Sequence, residues 1–152
     1  GARAGGGPGP GAPAAGVPGP ADRCPCGSGD AWSGCCGGYL AAHAAGGDWN
    51  GPPTAEALMR SRYGAFVAGD AAYLLATWHP DTRPDSLEVD PGIEWRLLRI
   101  DAAEGGGPFD ASGTVEFTAH YRTADGSGAQ RERSRFVREG GRWFYVDGDV
   151  AD

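Results

Sequence analysis

All four cysteines of the chain lie within thirteen consecutive positions, as Cys24, Cys26, Cys35 and Cys36. Four thiolates form a complete donor set for a tetrahedral zinc ion. Glycines between and beside them let the backbone turn tightly around such an ion: Gly27, Gly29, Gly34 and Gly37. The segment contains few apolar side chains, so without a metal it has little reason to fold. The spacing therefore favours a structural metal knuckle with four cysteine ligands.

Three alternatives compete with the metal knuckle. Disulfides are disfavoured because the sequence shows no signal-peptide pattern, which predicts a reducing compartment. A bond between the adjacent Cys35 and Cys36 would also be strained. A redox dithiol usually has a C-x-x-C spacing beside a βαβ unit, and neither is visible. A loosely folded segment with four reduced thiols remains the alternative, and thiolate ligands alone do not decide between zinc and iron.

The composition narrows the class of protein. The 152 residues carry a formal net charge of −7, and all thirteen basic residues are arginines. This balance disfavours non-specific nucleic-acid binding, which usually requires a basic face. No stretch approaches the roughly 18 consecutive apolar residues of a membrane span. We therefore expect a soluble, cytoplasmic protein that binds neither nucleic acid nor membrane.

The chain divides into four parts by composition. Residues 1–21 are almost entirely Gly, Ala and Pro and cannot bury enough apolar surface to fold, which predicts a disordered tail. The cysteine module follows at 22–42. Residues 43–53 indicate a short linker, and residues 54–150 an α+β domain.

Two helices are predicted at the start of this domain. Thr54 is a suitable N-cap for the helix AEALMRSRYGAFVA, which should end at Gly69. Asp70 can cap a second helix, AAYLLATWH, which Pro80 stops.

The rest of the domain has the period-two pattern of β-strands. Four strands are predicted, with the sequences IEWRLLRI, GTVEFTAHYR, AQRERSRFVR and RWFYVD. In the first strand the apolar residues move from odd-numbered to even-numbered positions after Leu97, which predicts a bulge there. Short Gly-rich connections join the last three strands as hairpins. The domain should therefore pack two helices on a four-stranded antiparallel meander.

Arg62 lies at an unexpected position in the first helix. A helical projection at about 100° per residue places it between Leu58 and Phe66, inside the apolar arc. A charge there must be paired or must line a cavity open to water. A buried ion pair with Glu132 or Glu116 is slightly favoured over a pocket role. Arg60 falls at the edge of the arc and is predicted to lie on the surface.

Other side chains with functional potential surround this position. His79 should end the second helix, where a favourable dipole interaction is a better explanation than a role as general base. The arginines of the third strand indicate either a stripe for an anionic ligand or a solvated face paired with carboxylates such as Glu116 or Asp147. The candidate pocket residues are Arg62, Tyr63, Trp78, His79, Glu132, Trp143 and Tyr145.

The segment CPCGSGDAWSGCC resembles the SEC-C motif, a metal-binding segment found at the C-terminus of the SecA translocation ATPase and in other bacterial proteins. The run C-P-C-G-S-G followed by paired cysteines carries the likeness. The fourth ligand of that motif is a cysteine or a histidine, so the resemblance implies Cys36 in this role and leaves His43 outside the site. It also implies zinc as the usual metal.

A longer resemblance covers residues 24–149. The stretches TAEALMRSRYGAF, YLLATWHPDTRP and ERSRFVREGGRWFYVDGD are similar in order and spacing to the YchJ family of bacterial proteins. That family joins a SEC-C motif to a cystatin-like cone of the nuclear transport factor two type, with helices cradled by a curved antiparallel sheet. The resemblance implies this fold but no reaction, since no residues match an isomerase's aspartate base and tyrosine-led oxyanion hole.

Two functions follow as hypotheses. The first is an accessory protein whose knuckle docks to a protein partner and whose cone binds a ligand, a partner or, by analogy with related cones, a second copy through the outer sheet face. The alternative is a small cofactor-independent enzyme in which Arg62 orients an anionic substrate and His79 or Glu132 moves protons. An unpaired Arg62 facing a cavity would favour a pocket role.

Overall fold

The computed structural model describes residues 17–46 and 49–151, so most of the predicted tail lies outside the described residues. A short 3-10 helix, Trp32–Gly34, comes first in the chain, and three α-helices and four strands come after it. In chain order they are α1 (Cys36–Ala45), α2 (Ala55–Ala68), α3 (Ala71–Ala76), β1 (Glu94–Gly105), β2 (Ser112–Thr123), β3 (Gly126–Glu139) and β4 (Arg142–Ala151). Within the described ranges, every helix is too short or too polar to cross a membrane.

Helix α2 begins and ends where the sequence predicts. The Thr54 hydroxyl accepts a hydrogen bond from the amide of Ala57 at 3.1 Å, which satisfies one of the free N–H groups of the first turn. Gly69 terminates the helix in the left-handed conformation, at φ 73°. Nine of the fourteen helix residues are buried, so α2 lies at the centre of the structure.

Loss of the Thr54 cap should have a measurable cost. We expect Thr54→Ala to lower the free energy of unfolding by about 1 kcal/mol, because the Ala57 amide loses its acceptor. Urea denaturation measures this change. Ser86→Ala, at an exposed loop position, is the control and should remain within about 0.5 kcal/mol of the wild type. Equal stability of the two variants would contradict the capping role.

Helix α3 is shorter than predicted. Asp70 caps it as expected, by accepting from the Tyr73 amide at 3.0 Å, but the helix ends at Ala76 instead of reaching His79. The next residues pair with the edge strand β4: the His79 amide donates to the Tyr145 carbonyl and the Tyr145 amide donates to the Thr77 carbonyl, both at 2.8 Å. Because an edge strand has unpaired backbone groups, this pairing competes with another helical turn.

The four strands form one antiparallel meander in the order β1-β2-β3-β4. The register shift between Trp95 and Leu97 confirms the predicted bulge. The pairing shifts again between Ile100 and Ala102, and once more at Arg135 in β3. The α+β architecture is therefore as predicted, with longer strands and one additional helix.

The two faces of the sheet differ in chemistry. The face toward α2 carries the buried side chains of the core, including Val115, Phe117 and Phe136. On the other face Arg135 forms ion pairs with Asp147 and Asp149. This agrees with a solvated face of paired charges, as one of the two interpretations predicted. A dimer through this face stays a prediction.

Helix α1 is absent from the sequence prediction and extends into the predicted linker, 43–53. Its glycines are weak helix formers, which hides the helix in the sequence. Gly37 packs so closely on Trp32 that a Cβ would lie 2.4 Å from the indole nitrogen. Beyond the helix, Trp49 makes edge-on contacts with His43 and Tyr73, with ring centroids 5.1 and 5.5 Å apart. Much of this segment is therefore packed structure.

A candidate metal centre and an adjoining cavity

The four cysteines converge on one point. Their sulfur atoms all lie within 4.8 Å of one another, and the Cys26 and Cys35 sulfurs are 3.6 Å apart. A tetrahedral zinc–thiolate site with bonds of about 2.3 Å has its sulfurs about 3.8 Å apart. The donor set and its spacing therefore fit a four-coordinate metal ion, with all four ligands supplied by the chain.

Local backbone geometry brings the thiols together. Gly27 and Gly29 adopt φ values of 84° and 92°, which fold the chain back after Cys26. The Cys24 amide then donates to the Asp30 carbonyl at 2.8 Å and closes the turn. The second cysteine pair is positioned by α1, which begins at Cys36 and whose N-terminal dipole favours thiolates.

The thiols influence one another strongly. The Cys24 side chain hydrogen-bonds to Cys26 and lowers the pKa of the Cys26 thiol. The pKa of Cys36 is raised, first by its hydrogen bonds to Cys24 and Cys26 and then by burial. Without a cation the cluster thus favours the thiolate of Cys26 over those of Cys24 and Cys36. A bound metal ion would compensate the remaining negative charge.

The cluster belongs to the core of the domain. Three of the cysteines are at most 1% exposed: Cys24, Cys26 and Cys36. They pack in the same buried cluster as Leu58 of α2 and Trp143 of β4. Cys35 is half-buried and lies 3.1 Å from the Ser28 hydroxyl. The metal segment therefore shares its packing with the α+β domain.

Helix α2 provides the surface on which this segment rests. Arg60 donates from Nη1 to the Cys26 carbonyl and also pairs with Glu56 at 3.1 Å. Arg60 is thus half-buried at the edge of the helix, where the sequence predicted a surface residue. The Glu56–Arg60 spacing was visible in the sequence, but the contact of Arg60 with a distant loop was not. Nearby, the Cys36 sulfur lies 3.1 Å from the Arg60 carbonyl, and Gly64 leaves room for the Cys36 side chain.

A cavity of about 200 Å³ lies between the C-terminal half of α2 and the sheet. Five of the seven predicted pocket residues line it: Arg62, Tyr63, Trp78, Glu132 and Tyr145. Its apolar walls were not predicted from the sequence; they include Met59, Phe66, Trp95 and Phe117. Gln130 and Ser134 also line it, and they were open to prediction because both lie on the same face of β3 as Glu132.

Trp143 and His79 lie outside this cavity. Trp143 is 1% exposed, and its indole nitrogen donates to the Pro53 carbonyl at 3.1 Å, near the N-terminal end of α2. The early end of α3 redirects His79, whose ring contacts Phe144 and whose Nε2 lies 3.0 Å from Glu139. Neither side chain contributes to the pocket as the sequence had suggested.

Arg62 is buried, and no carboxylate pairs with it in the part of the chain that the structure describes. Its Nη1 donates to the Leu74 carbonyl at 2.8 Å and to the Thr77 hydroxyl at 2.7 Å. The guanidinium stacks 4.5 Å above the ring centre of Tyr145. Among the described residues no carboxylate lies within 4.0 Å of it, so the predicted ion pair with Glu132 or Glu116 is wrong.

The side chain is nevertheless a cation. Burial lowers the pKa of Arg62 to about 10, since desolvation disfavours the charged form. This value still leaves the guanidinium protonated at neutral pH. Only 4% of Arg62 is exposed, so the charge acts in a medium of low polarity, where its interactions with an anion are strong.

Glu132 supplies the opposite charge on another wall. Its Oε2 accepts hydrogen bonds from the Ser134 hydroxyl at 2.8 Å and from the Tyr145 hydroxyl at 3.3 Å. Its Oε1 accepts a longer bond from Gln130, at 3.4 Å. These neighbours hold the carboxylate in place, and Oε1 retains capacity for another donor.

Two further polar groups lining the cavity have no hydrogen-bond partner within the described part of the chain. They are the Tyr63 hydroxyl and the Trp78 indole nitrogen. Burial raises the pKa of Tyr63, which keeps its phenol protonated and able to donate. Buried polar groups normally find partners, but both atoms are closed off by their surroundings, so an acceptor could reach them only if neighbouring side chains moved.

Comparison with known sequences shows close relatives in bacteria. A family model described as "YchJ, middle NTF2-like domain" matches residues 54–148. UPF0225 protein SCO1677 of Streptomyces coelicolor is 50% identical over 133 residues, which cover 88% of this chain and 99% of the relative. UPF0225 protein CE1570 of Corynebacterium efficiens is 50% identical over 131 residues, or 86% and 95% of the two chains.

Solved structures show the same architecture with a SEC-C motif. The solution structure of RPA3114 from Rhodopseudomonas palustris, a SEC-C motif containing protein, is similar with a TM-score of 0.71 and 33% identity, covering 86% of this chain and 99% of that one. A crystal structure of a SEC-C motif containing protein from Psychrobacter arcticus has a TM-score of 0.69 and 26% identity. The match covers 88% of this chain and 85% of that one. With the shared length, the cysteine cluster and the cone fold in place, the chain belongs to the YchJ family of UPF0225 proteins.

Proposed function

We propose that this protein binds a small organic anion in the cavity of its cone domain, while the four cysteines hold a structural zinc ion that fixes the N-terminal segment on α2. The observation that carries the ligand-binding proposal is Arg62, a buried cation that lines a cavity without a carboxylate partner within the described residues. An isolated buried charge is costly, and a bound anion would compensate it.

The cysteine site supports a structural role for the metal. Four protein ligands fill a tetrahedral ion, so no position remains open for a substrate. Zinc is the metal we propose, and iron is the alternative that thiolates also accept. Elemental analysis of protein purified without added metal distinguishes them: about one equivalent of zinc supports the proposal, and iron in its place contradicts it.

The polarity of the cavity favours an anion. The Arg62 guanidinium lines the cavity and has N–H donors besides the Nη1 group that binds Leu74 and Thr77. A carboxylate is an acceptor at both oxygens and can bind several such donors at once. The apolar walls would surround the hydrocarbon part of the ligand.

Replacement of Arg62 should weaken binding strongly. We expect Arg62→Met to weaken binding of small carboxylates such as butanoate and benzoate by at least about tenfold, because the charge-assisted hydrogen bonds are lost. Titration of the metal-loaded full chain, followed by protein NMR, measures the dissociation constants and shows whether the variant remains folded. Arg96→Met is the matched control, since this half-exposed arginine pairs with Glu94 outside the cavity.

The two variants separate the outcomes. Loss of binding in Arg62→Met with wild-type affinity in Arg96→Met supports the proposal. Equal affinities in both variants, with resonance shifts away from the cavity, would show that carboxylates bind elsewhere and would contradict it. Absence of binding by every carboxylate in wild-type protein would also contradict it.

An enzyme acting in the cavity is the second candidate. Its supporting observation is the Glu132 carboxylate, which accepts from the Tyr145 hydroxyl and lies on the cavity wall near a cation. Such a pair can move a proton to or from a bound molecule. Deuterium incorporation into pyruvate in D2O, lost in Glu132→Gln, would support this activity; a rate equal to that of buffer would contradict it.

Docking of a protein partner through the cysteine segment stays a proposal of lower rank. Three of its four thiols face the core, and its exposed side chains are small apart from Arg23. Small side chains provide few anchors for an interface, which usually depends on large aromatic residues or arginine. We therefore place ligand binding first.

A further inference from the structure

We infer that the ligand of the cavity is a small carboxylic acid that carries a hydrogen-bond donor, a hydroxyl or an ammonium group, at the end opposite its carboxylate. This inference rests on the proposed function and specifies its ligand class. It derives from the arrangement of Arg62 and Glu132, two opposite charges that line one cavity without forming an ion pair.

The charges of the cavity select against a simple anion. Arg62 attracts a carboxylate, but Glu132 on another wall repels it. A hydrocarbon group placed against Glu132 would shield its carboxylate from water and leave Oε1 with only the long bond from Gln130, which is costly for a charged acceptor. A ligand with a donor at that end satisfies both charges at once.

Tyr145 sets the distance between the two ends. Its ring face lies 4.5 Å from the guanidinium carbon of Arg62, and its hydroxyl lies 3.3 Å from Glu132 Oε2. The cationic and anionic groups therefore contact two parts of one tyrosine, its ring face and its hydroxyl, which limits the distance between them. A ligand with its carboxylate at Arg62 and its donor at Glu132 needs a compact body between its two ends, no longer than one aromatic ring.

The walls and size of the cavity suit such a body. Phe66 and Trp95 pack at a centroid distance of 5.9 Å, and Met59 and Phe117 add further apolar surface. Aromatic side chains favour flat apolar ligands by stacking or edge-on contact. A volume of about 200 Å³ is below the roughly 300–1,000 Å³ of pockets for drug-sized ligands, which limits the ligand to one ring.

Two residues of the cavity lining also reach a groove at the protein surface. Trp95 and Gln130 line the cavity and also line a surface groove beside Tyr121 and Asp125. Gln130 also donates to Glu132, so the donor end of a ligand would meet this group close to the groove. The Arg62 end would then lie deeper, where burial strengthens its attraction for a carboxylate.

Three probes of similar size test this inference: benzoate, 4-methylbenzoate and 4-hydroxybenzoate. The methyl and hydroxyl groups have nearly the same volume, and only the hydroxyl donates a hydrogen bond. We expect metal-loaded full-length protein to bind 4-hydroxybenzoate about tenfold more tightly than 4-methylbenzoate, the size of effect expected for a hydrogen bond to a charged group. NMR titration gives the three dissociation constants.

Variants identify the acceptor. Glu132→Gln keeps the shape of the side chain but removes its charge, so the preference for 4-hydroxybenzoate should fall from about tenfold to about threefold. Glu116→Gln, an exposed position on the neighbouring strand outside the cavity lining, should keep the full preference. A preference that is unaffected by Glu132→Gln would overturn the inference.

The probes also separate the inference from the proposed function. Equal binding of 4-methylbenzoate and 4-hydroxybenzoate, with both affinities lost in Arg62→Met, would overturn the inference and leave anion binding standing. If none of the three probes binds in a way that depends on Arg62, the proposed function fails, and the inference fails with it.

Discussion

Cys26→Ser is expected to remove the bound metal and to destabilise the whole α+β domain. We expect the metal content to fall from about one equivalent to background, because a tetrahedral site loses one of four ligands. The free energy of unfolding should fall by more than about 4 kcal/mol, in the range of substitutions that remove a structural metal. For a domain of this size the melting temperature should drop by about 10 °C or more.

The extent of this effect follows from where the cysteines lie. Cys26 is fully buried and packs in the same core as Leu58 of α2 and Trp143 of β4. Loss of the metal would leave polar thiols and a free segment against that core. A polar serine in the same place would also require a hydrogen-bond partner that the core does not supply.

Elemental analysis and thermal unfolding monitored by circular dichroism measure the two effects. Ser33→Ala, an exposed substitution in the same segment, serves as the control and should change neither. Treatment of wild-type protein with a chelator should reproduce the lower melting temperature. A Cys26→Ser protein that loses its metal but keeps the melting temperature of the wild type would show that the cysteine segment is independent of the domain.

Local signals were sufficient for much of the fold. Capping by Thr54 and Asp70 depends on side chains within three residues of the amides they bind, so the sequence pattern contains the whole interaction. The strands and the bulge near Leu97 were also predictable from neighbouring residues alone, because apolar and polar residues alternate along each strand and the order of alternation changes at the bulge. The four-cysteine cluster was predictable because one ion explains the spacing of all its ligands.

Features that depend on distant partners were not predictable. Helix α3 ends early because Thr77 and His79 pair with Tyr145, which is 66 or more residues away along the chain. Helix α1 is supported by tertiary packing in spite of its glycines. Helical periodicity alone therefore extended α3 too far and missed α1.

The position of Arg62 was predictable, but its partner was not. Its place in the apolar arc follows from the helical period, and the structure confirms that it is buried. Whether a strand carboxylate reaches it depends on sheet curvature and side-chain direction. Glu132 instead bonds to Ser134 and Tyr145, which leaves the arginine free to face the cavity.

Helix α2 connects the metal centre and the cavity. Arg60 and Gly64 contact the cysteine segment, whereas Arg62 and Tyr63 line the cavity from the same turns. A displacement of the cysteine segment would therefore act on the helix that positions both donors. Gly64 is one point where the segment and the helix approach closely.

Gly64→Ala should destabilise the protein, although alanine is the better helix former. In an exposed helix this substitution would raise stability by about 1 kcal/mol. Here the new Cβ would lie 2.5 Å from the Cys36 Cβ, 3.0 Å from its sulfur and 3.3 Å from the Trp32 ring. Because a metal bound at Cys36 would fix this side chain, the contact could not relax easily, and overpacking should outweigh the helical gain. We expect a net loss of about 2 kcal/mol.

The same clash should weaken metal binding, since it moves one ligand sulfur out of position. Urea denaturation of metal-loaded protein measures the stability, and competition with a coloured chelator measures the metal affinity. Gly34→Ala is the matched control, because its Cβ would have no neighbour within 4 Å. A Gly64→Ala protein more stable than the wild type, with unchanged metal affinity, would show that the cysteine segment does not rest on α2. Destabilisation of Gly64→Ala alone, together with easier loss of metal, would show that this glycine is required for the metal centre to pack against the helix of the cavity.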